Sequence, residues 1–130
     1  MVYFTVEQAQ ELLPRVRTEL LEMQHCKREI DALRDDLGHA VTRSAGNGHV
    51  KDEGSLAEKR RRAEAFVERM NEALGRINDL GVEVKDVDEG LTDFPSRREG
   101  RVVYLCWKLG EDRIAWWHEL DTGVAGRRPL

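Results

Sequence analysis

The feature that most constrains this chain is a change in the spacing of its apolar residues near Gly81. Before Gly81, apolar residues recur every three or four positions over two long stretches, as they do on one face of an α-helix. After Gly81, apolar residues alternate with polar ones or form short runs bounded by Gly and Pro, as in β-strands. The sequence therefore predicts an α+β protein in which helices come first and a sheet follows.

The first helical stretch covers residues 5–40. Thr5 and Gln8 have the spacing of a capping box at its start. Pro14 lies inside the stretch and removes one helical hydrogen bond, so we expect a kink near residues 12–13 or a separate short first helix. The apolar series behind this prediction is Val6, Ala9, Leu13, Val16, Leu20, Met23, Cys26, Ile30, Leu33 and Leu37.

A second helical stretch begins at a second capping box, Ser55 and Glu58, and ends at Gly81, a residue typical of helix ends. Residues 41–54 between the two stretches lack apolar periodicity and contain the turn signal Asn47-Gly48, which predicts a loop. Two helices joined by such a loop predict an antiparallel helical hairpin over residues 5–81. The apolar series of the second helix is Ala63, Phe66, Met70, Ala73, Ile77 and Leu80.

Residues 82–120 predict a small four-stranded antiparallel β-meander. Strands are expected at 82–87, 91–94, 101–107 and 114–120, with Pro95 ending the second strand. The run 101–107 is apolar at positions of both parities, as in a central strand that is covered on both faces. Residues 121–130 are predicted to form an extended tail. At 130 residues the chain has the size of a single domain, 1–130.

Composition argues against several classes of protein. The chain has 25 acidic and 21 basic side chains, and the net charge of −4 argues against a protein that coats nucleic acid. No apolar run reaches the roughly 18–20 residues of a membrane span, and no signal peptide is recognisable at the N-terminus. Two cysteines, Cys26 and Cys106, are too few for a disulfide framework, so we expect a cytoplasmic protein.

The three tryptophans of the chain lie within eleven residues, at positions 107, 116 and 117. Aromatic rings beside a histidine, carboxylates and arginines can line a pocket for a small anionic molecule. The candidate ligand-binding residues are Trp116, Trp117, His118, Glu119, Asp121, Arg127 and Arg128. No catalytic residue follows from their spacing.

His118 is the residue of this group with the most metal-binding character. In a strand, however, His118 and Leu120 share one face while Glu119 and Asp121 share the other, so no three-ligand metal site forms locally. A histidine beside two tryptophans is more often a packed residue, and we therefore expect no metal and no other cofactor. If a metal does bind, further ligands have to come from elsewhere, with Asp86, Asp88, Asp93 and Cys106 as candidates.

Cys106 raises the question of a nucleophile, with His118 on an adjacent strand as its base. Cys106 lies in the middle of a predicted strand, without the helix N-terminus or glycine-rich loop that lowers a thiol pKa. We therefore expect a buried thiol that packs as a small apolar group.

Two groups of arginines suggest nucleic-acid binding. Arg60, Arg61 and Arg62 fan through roughly 200° around a helix and cannot form one stripe. The better candidates lie near the aromatic strands, and stacking plus phosphate contact requires them on one face. They are Arg97, Arg98, Arg101, Arg127 and Arg128.

Several short motifs together resemble a known family. They are YFTVEQAQELLPRVR near the N-terminus, then DFP, YLCWKLGE, WWHELD and GRRPL. In combination they are similar to an uncharacterised bacterial family filed as domain of unknown function 2203, over nearly the whole chain apart from residues 41–54. The resemblance implies a small cytosolic bacterial protein, and it carries over no activity, cofactor or catalytic residue.

The amount of apolar surface leads to the main functional expectation. Two amphipathic helices and a strand layer that is apolar on both faces present more nonpolar surface than one hairpin and one sheet can cover. We expect a homodimer and a non-catalytic binding or interaction module, with the helical seam or the Trp-rich sheet face as interface. The alternative is a small-ligand or metal-binding protein with its site at the Trp107–Asp121 hairpin. Such a protein could be an enzyme or a non-catalytic binding protein. A second alternative is weak nucleic-acid binding through the C-terminal arginines.

Overall fold

A computed structural model describes residues 2–47 and 53–130, with side chains described outside residues 39–53. Two helices, α1 (Val6–Asn47) and α2 (Glu53–Asp79), precede a single antiparallel sheet. The structure confirms the α+β class, with a helical hairpin followed by an antiparallel sheet. Its strand order is β1-β2-β3-β4-β5, and the strands are β1 (Glu83–Asp86), β2 (Leu91–Arg98), β3 (Arg101–Lys108), β4 (Trp116–His118) and β5 (Arg128–Pro129).

The start of α1 follows the sequence signal closely. The backbone N–H of Gln8 donates to Thr5 Oγ1 at 3.1 Å, and the backbone N–H of Thr5 donates to Gln8 Oε1 at 3.0 Å, which completes the predicted capping box. The helix then continues unbroken through Pro14. Of the two outcomes predicted for Pro14, a separate first helix therefore does not occur.

The predicted loop 41–54 is wrong at both ends. Residues 41–47 continue α1, and α2 already begins at Glu53, so that Ser55 lies inside α2 and not at its N-terminus. Only residues 48–52 separate the helices, and they lie outside the described residues. The end of an apolar series marks the end of a packed face, whereas the backbone hydrogen bonds of a helix need no apolar side chains to continue.

Strand β2 runs through Pro95 to Arg98, so the prediction that Pro95 ends the strand is wrong. In the described chain, β1 pairs only with residues 91–93 of β2. At Pro95 no neighbouring strand among the described residues needs a backbone N–H from that edge, so proline, which has none, is tolerated there. The carbonyl of Pro95 accepts a hydrogen bond from Phe4 N at 2.7 Å. Ser96 Oγ donates to the Phe4 carbonyl at 2.6 Å, which ties the segment before α1 to the sheet.

The chain after β3 also differs from the prediction. The fourth strand is limited to Trp116–His118, where residues 114–120 were expected. The tail is not simply extended, because it contains a 3-10 turn (Val124–Gly126) and the fifth strand, which pairs Arg128 with Trp117. A strand of two residues has no period to detect, so only its partner strand reveals it.

The sheet has two unlike faces. On one face, Phe94, Leu105 and Trp107 join the apolar core formed with the buried faces of the helices. On the other face, the register places two rows of residues side by side across β2, β3 and β4. These rows are Asp93, Cys106 and Trp116, followed by Pro95, Tyr104 and His118. Among the described residues, no helix is both long and apolar enough to cross a membrane.

Candidate functional site

Three buried side chains that can bind a metal ion meet on the face of the sheet opposite the apolar core. They are Asp93 of β2, Cys106 of β3 and His118 of β4, named below the Asp–Cys–His cluster. One ligand atom of each residue lies within 4.8 Å of the other two. All three side chains are almost completely buried. Because each comes from a different strand, the cluster depends on the register of the sheet.

The ring of His118 is held through both of its nitrogens. Nδ1 lies 2.6 Å from the carbonyl oxygen of Glu119, which only accepts hydrogen bonds, so Nδ1 carries a proton. Nε2 faces Asp93 Oδ1 at 2.9 Å. A histidine whose Nδ1–H donates to a backbone carbonyl, while Nε2 points at other ligand atoms, has the usual orientation of a metal-binding histidine.

The protonation of the cluster follows from its burial. Burial raises the pKa of the Asp93 carboxyl, and the neighbouring His118 offsets only part of that rise. Burial, together with the charge of Asp93, raises the pKa of the Cys106 thiol to about 12. At neutral pH and without metal, Cys106 is therefore a thiol.

This geometry does not form a nucleophilic cysteine–histidine pair. Glu119 and Asp93 occupy the two ring nitrogens of His118, which leaves no nitrogen for the thiol of Cys106. A thiol pKa of about 12 also leaves very little thiolate at neutral pH. Cys106 is a buried, free cysteine whose Sγ belongs to a group of atoms that could hold a metal ion.

An open pocket of about 330 Å³ lies over the cluster. Asp93 and His118 contribute to its lining, and Lys85 and Tyr104 line it from the sheet. The chain after β4, residues 120–124, also contributes to the lining. Asp93 and His118 therefore border a space that suits a small molecule.

The polar wall of this pocket is itself organised. Lys85 Nζ lies 4.9 Å from the centre of the Tyr104 ring and 2.9 Å from Glu83 Oε1. Burial raises the pKa of Glu83, but hydrogen bonds with Lys85 and Tyr104 outweigh it and leave that pKa below its ordinary value. The Tyr104 ring in turn packs against His118, with 5.5 Å between ring centres.

The tail is fastened beside the cluster by Arg127. Its guanidinium forms two hydrogen bonds with Glu111, at 2.8 and 2.9 Å, and stacks on Trp116 with 5.0 Å between Cζ and the ring centre. It also approaches the carbonyl of Cys106 at 3.4 Å. These contacts hold the tail across the strand that carries Cys106.

The structure divides the seven predicted ligand-binding residues between several places. Asp121 lines the pocket with His118, and Trp116 lies in the same row as Asp93 and Cys106. Trp117 joins the core on the other face, where Arg128 stacks on it. The remaining two form ion pairs, Glu119 with Arg101 and Arg127 with Glu111.

Two of the four candidate metal partners reach His118. Asp93 and Cys106 do so, whereas Asp86 accepts a hydrogen bond from the Glu89 backbone and Asp88 pairs with Lys27 at the surface. Sequence reasoning missed the pocket residues Lys85 and Tyr104 altogether. The sequence signal for these two residues is that polar side chains lie on the same face of neighbouring strands. This signal can be recognised only when the register of the strands is known.

Fold and site together define a small α+β protein with a buried Asp–Cys–His cluster beneath an open pocket. A family model described as an uncharacterised conserved protein, DUF2203, matches residues 2–130, and the chain belongs to this family. The resemblance noted in the sequence is thus confirmed, and the match includes residues 41–54. Neither a search of curated proteins nor a search of solved structures gives a match.

Proposed function

We propose that this protein binds a divalent transition metal ion through Asp93, Cys106 and His118, with zinc as the best fit. The observation that carries the proposal is the convergence of one oxygen, one sulfur and one nitrogen ligand atom within 4.8 Å in a buried position. Bond lengths of about 2.0–2.3 Å to zinc place tetrahedral ligands about 3.5 Å apart. The three side chains therefore have to shift when a metal enters.

The chemistry of the ligands selects the class of metal. A thiolate and an imidazole favour zinc and neighbouring transition metals over magnesium and calcium, which prefer oxygen ligands alone. Cys106 binds as a thiolate, so its proton leaves when the metal enters. The Nδ1–H of His118 already donates to the Glu119 carbonyl, which fixes the ring with Nε2 toward the cluster.

Three protein ligands leave a fourth position on a tetrahedral metal. Structural zinc sites are normally closed by four protein ligands, whereas sites that bind water or a small molecule keep one position open. The pocket beside Asp93 and His118 supports the second arrangement. We therefore favour a metal-dependent small-ligand protein over a purely structural metal site.

Self-association is a second proposal, favoured by apolar side chains at the rim of the pocket. Leu120 and Val124 are 54% and 44% exposed, and a second copy that packs on them would cover this rim.

We also propose a bacterial cytoplasm as the location. The two free, buried cysteines support a reducing compartment, and the family resemblance noted in the sequence implies a bacterial source.

Cobalt(II) titration of the metal-stripped protein tests metal binding directly. We expect one equivalent to bind with a cobalt–thiolate absorption band. His118→Ala and Cys106→Ser should each weaken binding at least about 100-fold, because loss of a ligand exceeds the 10–100-fold cost of losing its outer partner. Cys26→Ser is the matched control, since Cys26 is also a buried, free thiol but lies on α1.

Two results would refute the metal site: no stoichiometric binding by the wild-type protein, or a thiolate band that persists in Cys106→Ser. Circular dichroism establishes that each variant is folded before its affinity is compared. Native mass spectrometry of the same samples gives the oligomeric state and the retained metal together. A monomer at tens of micromolar would refute self-association and would leave the metal site standing.

A further inference from the structure

Three arginines surround the ring of Trp117. Arg98 at the end of β2, Arg101 at the start of β3 and Arg128 of β5 place Cζ at 4.7, 5.9 and 5.4 Å from the ring centre. Strand pairing brings them together, because Arg98 is opposite Arg101 and Arg128 is opposite Trp117. We call these three residues the arginine cluster.

The positive charge of this cluster is only partly balanced. Arg101 forms a two-point ion pair with Glu119. Arg98 and Arg128 have no carboxylate oxygen within 4.0 Å in the described part of the chain, and Glu99 attracts Arg101 without forming an ion pair, so the cluster keeps a net positive charge. Stacking on the indole holds the guanidinium groups close together. A bound anion would offset the mutual repulsion of these charges.

Trp117 serves as a platform for the arginines and offers little surface to a ligand. The residue is only 6% exposed, so a nucleic-acid base has no free ring face to stack on. A guanidinium that stacks on an indole keeps its N–H edges available for oxygen acceptors, and the stack limits its rotamers. Planar N–H edges of this kind match the oxygens of a phosphate group.

We propose that the arginine cluster binds a phosphate-bearing small molecule. All three guanidinium carbons lie within 6 Å of one ring centre, which suits one or two phosphate groups. A nucleic-acid strand needs a longer basic track and exposed stacking rings, and the net charge of −4 opposes such a partner. The site does not depend on the metal proposal, because Trp117 belongs to the core-facing side of the sheet.

Calorimetric titration of the full-length, metal-stripped protein with inorganic pyrophosphate tests the inference. We expect saturable binding that weakens as salt is added, and at least about a tenfold loss of affinity in Arg98→Ala and in Arg128→Ala. Arg98→Lys should also lose affinity, because lysine keeps the charge without the planar fork. Arg62→Ala on α2 removes the same charge at an exposed position away from the cluster and should bind as the wild type does.

A parallel titration with a 20-nucleotide oligouridylate separates the two sources of phosphate. Binding of pyrophosphate without tighter binding of the oligonucleotide supports the small-molecule site. Binding of the oligonucleotide alone, no saturable binding of pyrophosphate, or unchanged affinity in folded Arg98→Ala and Arg128→Ala would each overturn the proposal. Thermal melting establishes that the variants are folded, as expected for substitutions of side chains at the surface.

Discussion

Removal of the Asp93 carboxyl group is expected to destabilise the metal-free protein by about 3 kcal/mol. In the wild type, Asp93 Oδ1 is the partner of His118 Nε2 at 2.9 Å, and both side chains are almost completely buried. In Asp93→Ala, Nδ1 of His118 still donates to Glu119, but Nε2 loses its partner in a buried place. An unsatisfied buried group costs about 1–3 kcal/mol, and a broken buried pair costs about 3–5 kcal/mol.

Asp93→Asn is the matched variant, because an amide has the shape of the carboxyl group. With the proton on Nδ1, Nε2 can accept a hydrogen bond, and the asparagine N–H can donate to it. Since burial raises the pKa of Asp93, a neutral partner at this position is also compatible with the wild-type cluster. We expect Asp93→Asn to stay within about 1 kcal/mol of the wild type.

Urea unfolding at pH 7 with a chelator present, followed by tryptophan fluorescence, measures both differences. In a thermal melt of the same variants, a loss of 3 kcal/mol corresponds to a fall in Tm of about 10 °C, for an unfolding entropy of about 2.1 cal/mol/K per residue. Asp88→Ala is the surface control and should leave the free energy of unfolding nearly unchanged, because its pair with Lys27 is exposed. Equal losses in Asp93→Ala and Asp93→Asn, or a loss below about 0.5 kcal/mol in the alanine variant, would refute this account of the cluster.

Two further predictions concern the helices. Hydrogen bonds from Cys26 and then from Arg69 lower the pKa of Glu22, so its stabilisation is present above the ordinary value of 4.5 and is lost as the pH falls through the lowered value. Glu22→Gln should therefore cost about 0.5–1 kcal/mol at pH 7 and nothing at pH 2, and urea unfolding at both pH values would contradict this if the cost were equal. Pro14→Ala should raise the free energy of unfolding by about 1–3 kcal/mol, because it restores the N–H that can bond to the Gln10 carbonyl. An unchanged or lower Tm in that variant would show that α1 already accommodates the proline without cost.

The helices could be predicted because their signals are local. The capping box of Thr5 and Gln8 and the buried series from Ala9 to Leu33 lie within single turns or repeats of one element. The helix ends near residue 47 and Glu53 could not be predicted in the same way. The sequence has no apolar periodicity there, while the backbone of α1 continues to Asn47 and that of α2 begins at Glu53.

The strand errors have a tertiary cause. Pro95 would end a strand that is paired on both sides, but it stays within β2 because the pairing with β1 extends only as far as Asp93. Arg128 and Pro129 form a strand because β4 offers them a partner. In both places the neighbouring strand decides the outcome, and that neighbour is absent from the local sequence.

The sequence by itself determined the α+β class, the helical hairpin and the concentration of aromatic residues near the C-terminus, since the spacing of apolar residues sets which faces can be buried. The sequence also singled out His118 as a candidate ligand-binding residue, with Asp93 and Cys106 among the candidates for further metal ligands. Only the tertiary structure decided which partners meet. Asp93, Cys106 and His118 come from three strands, and a shift of one residue in the register of any strand would turn its side chain to the other face of the sheet.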